Sequence, residues 1–206
     1  MAVANYTDAN GHYPPAYLPG PDGRPWHSWR VLVLPYIEQY TLFKEYRFDE
    51  PWDGPNNRRL AGRMPSLYRF HAGTEPDTTT SNYLAVVGPE TLWPGTKKVT
   101  PAAVTDRLAS TILVVENLGL GVHWMEPRDL VLADMDLRVN SPAGVSSPYT
   151  WPGVAMLDGS LHTLRAELRP EVLRALLTID GNEPLADDGA GGWDFLADGR
   201  DRPLVP

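Results

Sequence analysis

The stretch VAMLDGSLHTL, residues 154–164, decides the fold class. Two apolar runs flank Asp158-Gly159, and Asp-Gly is a dipeptide that two-residue type I′ turns favour, because both central residues need φ > 0. The reading is a β-hairpin. In that register Leu157 faces Ser160, Met156 faces Leu161 and Val154 faces Thr163. Paired residues share a face, so Val154, Met156 and Leu161 are expected on the buried side and His162 on the other, beside Ala155.

Working outward, Leu67–Phe70, Tyr83–Val87 and Thr111–Val115 are short β-branched or aromatic runs bounded by Gly, Pro and Asn. They read as strands of the same antiparallel sheet. Thr105-Asp106 reads as the turn that leads into the third of them. After the hairpin, Pro170–Thr178 reads as a helix with Pro at its first position and Val172, Leu173, Leu176 and Leu177 on one side. Toward the N-terminus, Ala2–Thr7 reads as the end of a helix that Asn10-Gly11 terminates. A Pro/Gly loop follows over Tyr13–Pro25. Ser28 is an N-cap candidate for Trp29–Leu34, and Pro35 breaks or restarts a helix whose apolar face carries Ile37, Tyr40 and Phe43. Asp53 is placed as the cap of a short helix at Gly54–Ala61. The fold class expected is α+β and loop-rich.

Composition bounds the function. The 206 residues carry a net charge of −8, with 21 Pro, 18 Gly, 7 Trp, 9 Tyr and no Cys. From Asp180 to Pro206 there are 7 acids and 2 bases, so the expected organisation is a head over 1–180 and an acidic, Gly/Asp-rich tail over 181–206. In that tail Trp193, Phe195 and Leu196 form an apolar knot that either docks on the body or stays free. No basic stripe exists to neutralise phosphates, so neither nucleic acid nor an anionic membrane surface is an expected partner. Absence of cysteine excludes disulfides, thiolate metal sites and a cysteine nucleophile. No apolar run approaches the roughly 18 residues of a membrane helix, and no secretory signal is visible at the N-terminus.

Seven segments in order carry a resemblance: NYTDANGHYPPA (5–16), SWRVLVLPYIEQ (28–39), FDEPWDGPNN (48–57), NYLAVVGPET (82–91), TILVVEN (111–117), HWMEPRDL (123–130) and MLDGSLHTL (156–164). Together, over about residues 2–185, they resemble the planctomycete-type pseudopilin-like proteins called domain of unknown function 1559. That family has no established biochemical activity. The resemblance implies a pilin-like head, an antiparallel sheet packed on the end of an N-terminal helix. It also implies an upstream prepilin-type apolar helix, of which this sequence would hold only the end. The expected address is then the cell envelope, outside the cytoplasm and membrane-anchored through that helix, with other pseudopilin-like subunits or envelope proteins as partners. A native cytoplasmic protein without the helix is the competing expectation. The family's C-terminal motif sets a His ten positions before Asp-Gly. Here that position is Pro148, so no role of that histidine carries over and Asp158-Gly159 are assigned to the turn.

Candidate chemistry is sparse. His12, His27, His71, His123 and His162 are scattered, and no HExxH helix, GxSxG elbow or phosphate-cradling Gly-Lys loop is present. Serine hydrolysis would need the fold to assemble a Ser, a His and an acid. Asp49, Glu50 and Asp53 surround Trp52, while Glu126, Pro127 and Asp129 follow Trp124. Paired carboxylates of this kind could serve sugar hydrolysis, but helix capping and tryptophan packing are the preferred roles. For calcium, offered by analogy with secretion pseudopilins, the oxygen donors are Asp8 and Asn10 near the N-terminus and Asp187, Asp188, Asp198 and Asp201 in the tail. None matches an EF-hand. Trp29 is expected in the core; Trp26, Trp93 and Trp151 lie in Pro/Gly loops where they could face a ligand. An older family label, extracellular solute-binding protein, points the same way. The expectation is a non-enzymatic, pseudopilin-like assembly subunit without a cofactor, with a glycan- or solute-binding module as the alternative and a hydrolase third.

Overall fold

A computed structural model describes residues 2–69 and 79–196. Phe70, His71, Asp198 and Asp201 of the expectations above lie outside these residues. The chain is α+β and loop-rich. Helix α1 (Ala2–Asn10) ends at Gly11, whose φ of +74° permits the closing bond from its N–H to Thr7 O at 2.7 Å. The Pro/Gly stretch that follows is more ordered than expected: β1 (Tyr17–Pro19) and β2 (Pro25–Ser28) pair antiparallel within it. Ser28 then caps α2 (Trp29–Leu32), accepting from the Arg30 N–H at 3.2 Å. Pro35 restarts the chain as a 3-10 turn at Leu34–Ile37, and α3 covers Tyr40–Glu45. On α3 the buried residue is Leu42, whereas Tyr40 is 56% exposed, because the left-handed Glu38 (φ 62°) breaks the helical phase between the two segments.

Asp53 is exposed and caps nothing; the 3-10 segment Asn57–Arg63 is held instead by Glu50, which accepts from the Asn56 and Asn57 N–H groups at 2.8 and 2.7 Å. Ser66–Tyr68 is a 3-10 turn rather than a strand, with the Tyr68 hydroxyl donating to Arg30 O at 2.7 Å inside the core.

The remaining strands are β3 (Thr80–Ser81), β4 (Tyr83–Leu84), β5 (Val86–Val87), β6 (Ile112–Glu116), β7 (Val122–His123), β8 (Leu130–Val131), β9 (Gly153–Met156), β10 (Leu161–Thr163), β11 (Leu185–Asp187) and β12 (Trp193–Phe195). The run Tyr83–Val87 is thus split. Its first half joins the main antiparallel sheet, ordered β10-β9-β6-β4, and its second half pairs in parallel with β8. Ala85, between the two, is fully buried. Thr105 and Asp106 do sit before β6, and they also clasp the chain after the last helix: both N–H groups donate to Ile179 O, and Asp106 accepts from the Gly181 and Asn182 N–H groups.

The 154–164 hairpin forms in a different register from the one expected. Leu161 pairs with Ala155, His162 with Val154 and Thr163 with Gly153. The loop has three residues, closed by Gly159 N–H to Met156 O at 3.0 Å and Met156 N–H to Ser160 O at 2.9 Å. Gly159 takes φ +92° while Asp158 keeps negative φ, so the type I′ turn is absent. A slip of one residue moves every side chain of one strand to the other face. Leu161 is accordingly 80% exposed, and His162 shares the inner face with Val154.

Helix α4 (Pro170–Leu177) covers that inner face with Val172, Leu173 and Leu176. Burying each such side chain contributes about 1.5–3 kcal/mol. The β11-β12 hairpin docks beside them through Leu185 and Trp193. A second core, around Trp29, Leu34, Trp93, Trp124 and Met125, holds the N-terminal half. Helix α1 rests on the Leu34–Ile37 turn, with the Tyr6 and Tyr36 rings 5.7 Å apart. Among the described residues no helix is long and apolar enough to cross a membrane.

Candidate functional site

The motif acids serve structure first. Arg30, the one charge in the apolar run SWRVLVL, is completely buried. Its Nη1 donates to Asp129 Oδ1 at 2.6 Å, and Nε and Nη2 donate to the carbonyls of Trp124, Glu126 and Arg128 at 3.1, 3.0 and 2.9 Å. Asp129 also accepts from Trp29 Nε1 at 3.3 Å and from the Ala85 N–H at 2.9 Å. Burial pushes this carboxyl up, while the guanidinium and the neutral donors pull it back. The guanidinium does not surrender its proton, and at 2.6 Å it is the countercharge of the carboxylate. It ties α2 to the loop that carries MEPRD.

Residues 1–83, which include α1, α2 and Arg30, match the family model described as protein of unknown function (DUF1559). The match supports assigning this part of the chain to the DUF1559 family. No curated protein and no solved structure matches it.

The other acids of the two acid-plus-tryptophan loops are similarly engaged. Glu126 accepts from the His123 N–H at 3.2 Å and from Arg128 Nε at 2.6 Å, with Pro127 half-buried between them and Asp129. Trp124 is fully buried and donates to Ala61 O at 2.9 Å. Trp52 is half-buried, its ring 5.0 Å from that of His123, so the two acid-plus-tryptophan loops do meet. Their contact is aromatic, while Glu50, Glu126 and Asp129 hold chain segments in place.

The expected ligand-facing tryptophans separate. Trp93 is 1% exposed, its ring tilted against that of Trp29 at 5.1 Å and its indole N–H donating to Leu113 O, so it belongs to the core. Trp26 is half-buried and lies flat over Gly20, where a Cβ would come within 2.1 Å of the indole. Trp151, 46% exposed, stands at the mouth of a cleft of about 510 Å³ on the outer face of the main sheet.

Strand register builds that cleft. One cross-strand row runs Tyr83, Glu116, Gly153, Thr163 and a second runs Val114, Ala155, Leu161. Both rows face away from α4, and the turn Gly189–Gly191 forms the far wall. Glu116 is 9% exposed; its Oε2 accepts the Gly153 N–H at 2.7 Å, and the Tyr83 hydroxyl is hydrogen-bonded to the same carboxylate. The carboxylate lies close over Gly153, where a Cβ would sit 3.0 Å from Glu116 Oε1. Burial, then the charge of Glu116, pushes the Tyr83 hydroxyl up.

At the rim of the cleft the fold assembles a serine, a histidine and an acid. Ser160 Oγ lies 3.1 Å from His162 Nε2, and His162 Nδ1 lies 3.0 Å from Asp187 Oδ2. Proton placement differs from that of a nucleophilic triad. The Ser160 hydroxyl donates to Asp158 Oδ1 at 2.6 Å, a shorter contact than the one to the imidazole. Two nearby amides are also engaged, Ser160 N–H with Asp158 and Gly159 N–H with Met156 O. Hydrogen bonding to Ser160 holds the Asp158 carboxyl below its usual range. The trio pins the β11-β12 hairpin to β10, with the His162 ring edge-on to Trp193 at 5.4 Å.

The calcium donors are dispersed or engaged. Asp8 is exposed, Asn10 Nδ2 donates to Tyr6 O, Asp187 accepts from the Gly189 N–H and faces His162, and Asp188 accepts from the Ala190 and Gly192 N–H groups. Among the described residues no group of three metal-ligating side chains converges. Sequence reasoning did not single out Arg30 or Glu116. Each is one charge at the edge of or inside an apolar run, the only local signal it leaves.

Proposed function

We propose that this chain is the head of a non-enzymatic, pseudopilin-like subunit of the cell envelope, working in a filament or a type II secretion-like assembly. The observation that carries the reading is α1: it lies within the DUF1559 match and is seated on the body by Val3 and Thr7. In such a subunit the helix continues upstream into the membrane and the head presents its loops outward. The non-enzymatic part draws support from the carboxylates of the family segments, which spend their hydrogen bonds on the chain itself, and from the Ser160 proton being held by Asp158. Membrane fractionation of the producing cell, with N-terminal mass analysis of the native protein, tests it. A processed, N-methylated apolar helix in a membrane or filament fraction is expected; a soluble protein beginning at Met1 overturns it.

A second reading, an extracytoplasmic glycan- or solute-binding module, is favoured by one observation. The exposed Trp151 borders a cleft of about 510 Å³, within the range of small-molecule sites. A head can serve both roles.

A further inference from the structure

Glu116 and Asp129 are both buried carboxylates with two neutral donors. Asp129 has Ala85 N–H and Trp29 Nε1, and Glu116 has Gly153 N–H and Tyr83 Oη. Asp129 has in addition the Arg30 guanidinium. None of the ion pairs among the described residues includes Glu116. Withdrawing a carboxylate from water without a countercharge is unfavourable, so buried charges are ordinarily paired. Glu116 lines the cleft together with the aromatic side chains of Trp151 and Tyr83 and the apolar row Val114, Ala155, Leu161. Aromatic faces attract cations, and more strongly when the site is partly desolvated.

We propose that this cleft binds a small organic cation, an ammonium group on an apolar body, with the charge at Glu116 beside Trp151 and Tyr83 and the body over Ala155 and Leu161. An anion would meet Glu116 and a chain of net charge −8. A neutral solute would leave the carboxylate uncompensated. The inference rests on the solute-binding reading and is independent of the assembly reading.

The test is an NMR and calorimetric titration of the chain with three probes of one shape: phenethylammonium, 2-phenylethanol and phenylacetate, at constant ionic strength. The ammonium is expected to bind about tenfold tighter than the alcohol, a step in line with one compensated charge contact, and the carboxylate weakest of all, with shifts confined to β6, β9 and β10. E116Q keeps an acceptor for the Gly153 N–H and is expected to abolish the preference for the ammonium; W151A is expected to weaken all three probes. T163K, at an exposed position of the same cross-strand row, supplies an internal ammonium and is expected to displace the probe, which keeps the inference testable should E116Q fold poorly. Equal binding of ammonium and alcohol, or a preference that survives in E116Q, overturns the cation assignment while leaving a solute site. Failure of all three probes to bind overturns the cleft as a site altogether.

Discussion

The Asp129 region and the Glu116 region place the same chemical group in opposite settings. Around Asp129 the chain supplies its own cation, and the guanidinium of Arg30 is used up on five carbonyl and carboxylate oxygens drawn from one loop. Nothing is left over for a ligand. Around Glu116 the chain supplies two neutral donors, a glycine small enough to let the carboxylate lie down, and an open aromatic-walled cleft. A buried acid is therefore not in itself a mark of chemistry; what completes its electrostatics separates framework from site.

The largest expected effect tests the closed side. R30A leaves Asp129 buried without its cation and is expected to cost about 3–5 kcal/mol in denaturant unfolding, whereas replacing both partners with apolar residues of similar volume is expected to recover most of that. A single substitution costing under about 1 kcal/mol would remove the contrast. Next comes G153A. A Cβ at 3.0 Å from Glu116 Oε1 crowds the carboxylate, which must give by a few tenths of an ångström while holding the Gly153 N–H, and a loss of about 1–3 kcal/mol by thermal melt is expected.

E116Q is expected to change stability by less than about 1.5 kcal/mol, since a neutral acceptor remains for the Gly153 N–H. A loss as large as that of R30A would mean that Glu116 is framework too. A smaller effect separates the cores by pH. Burial pushes the His27 imidazole, held by Tyr46 Oη at 2.9 Å, below its ordinary value. The unfolded chain then takes up a proton near pH 6.5 that the folded chain takes up only at lower pH, so stability falls as pH drops below about 6.5. Melting temperatures at pH 7.5 and 5.5 should show that fall in the wild type and a shallower one in H27Q. The smallest effect is an expected blank: a fluorophosphonate probe should leave Ser160 unlabelled, and labelling that S160A abolishes would convert the Ser160–His162–Asp187 contact from a strap into a nucleophilic site.

Legibility in the sequence followed the range of the interaction. The end of α1 at Gly11, the Ser28 cap, the strand Ile112–Glu116 and the whole of α4 were readable because each depends on residues within one or two turns: a left-handed glycine, a capping hydroxyl, a β-branched run, a Pro-led apolar face. The Asp158-Gly159 turn was readable as a turn and misread in register. Both a two-residue and a three-residue loop accept Asp-Gly, and the choice rests on how Val154 and Met156 meet β6. Trp93 was misplaced for a related reason. Its Pro/Gly surroundings signal a loop, and only contact with Trp29, distant in sequence, buries it.

By itself the sequence determined the α+β class, the family segments over residues 1–83, the positions of the helices and the absence of thiol chemistry. Tertiary structure alone decided which charges are paired, Arg30 with Asp129 across 99 residues and Glu116 with none among the described residues, and so which face is left open. Pairing of buried charges depends on distances between segments far apart in the chain, and no local pattern of residues encodes those distances.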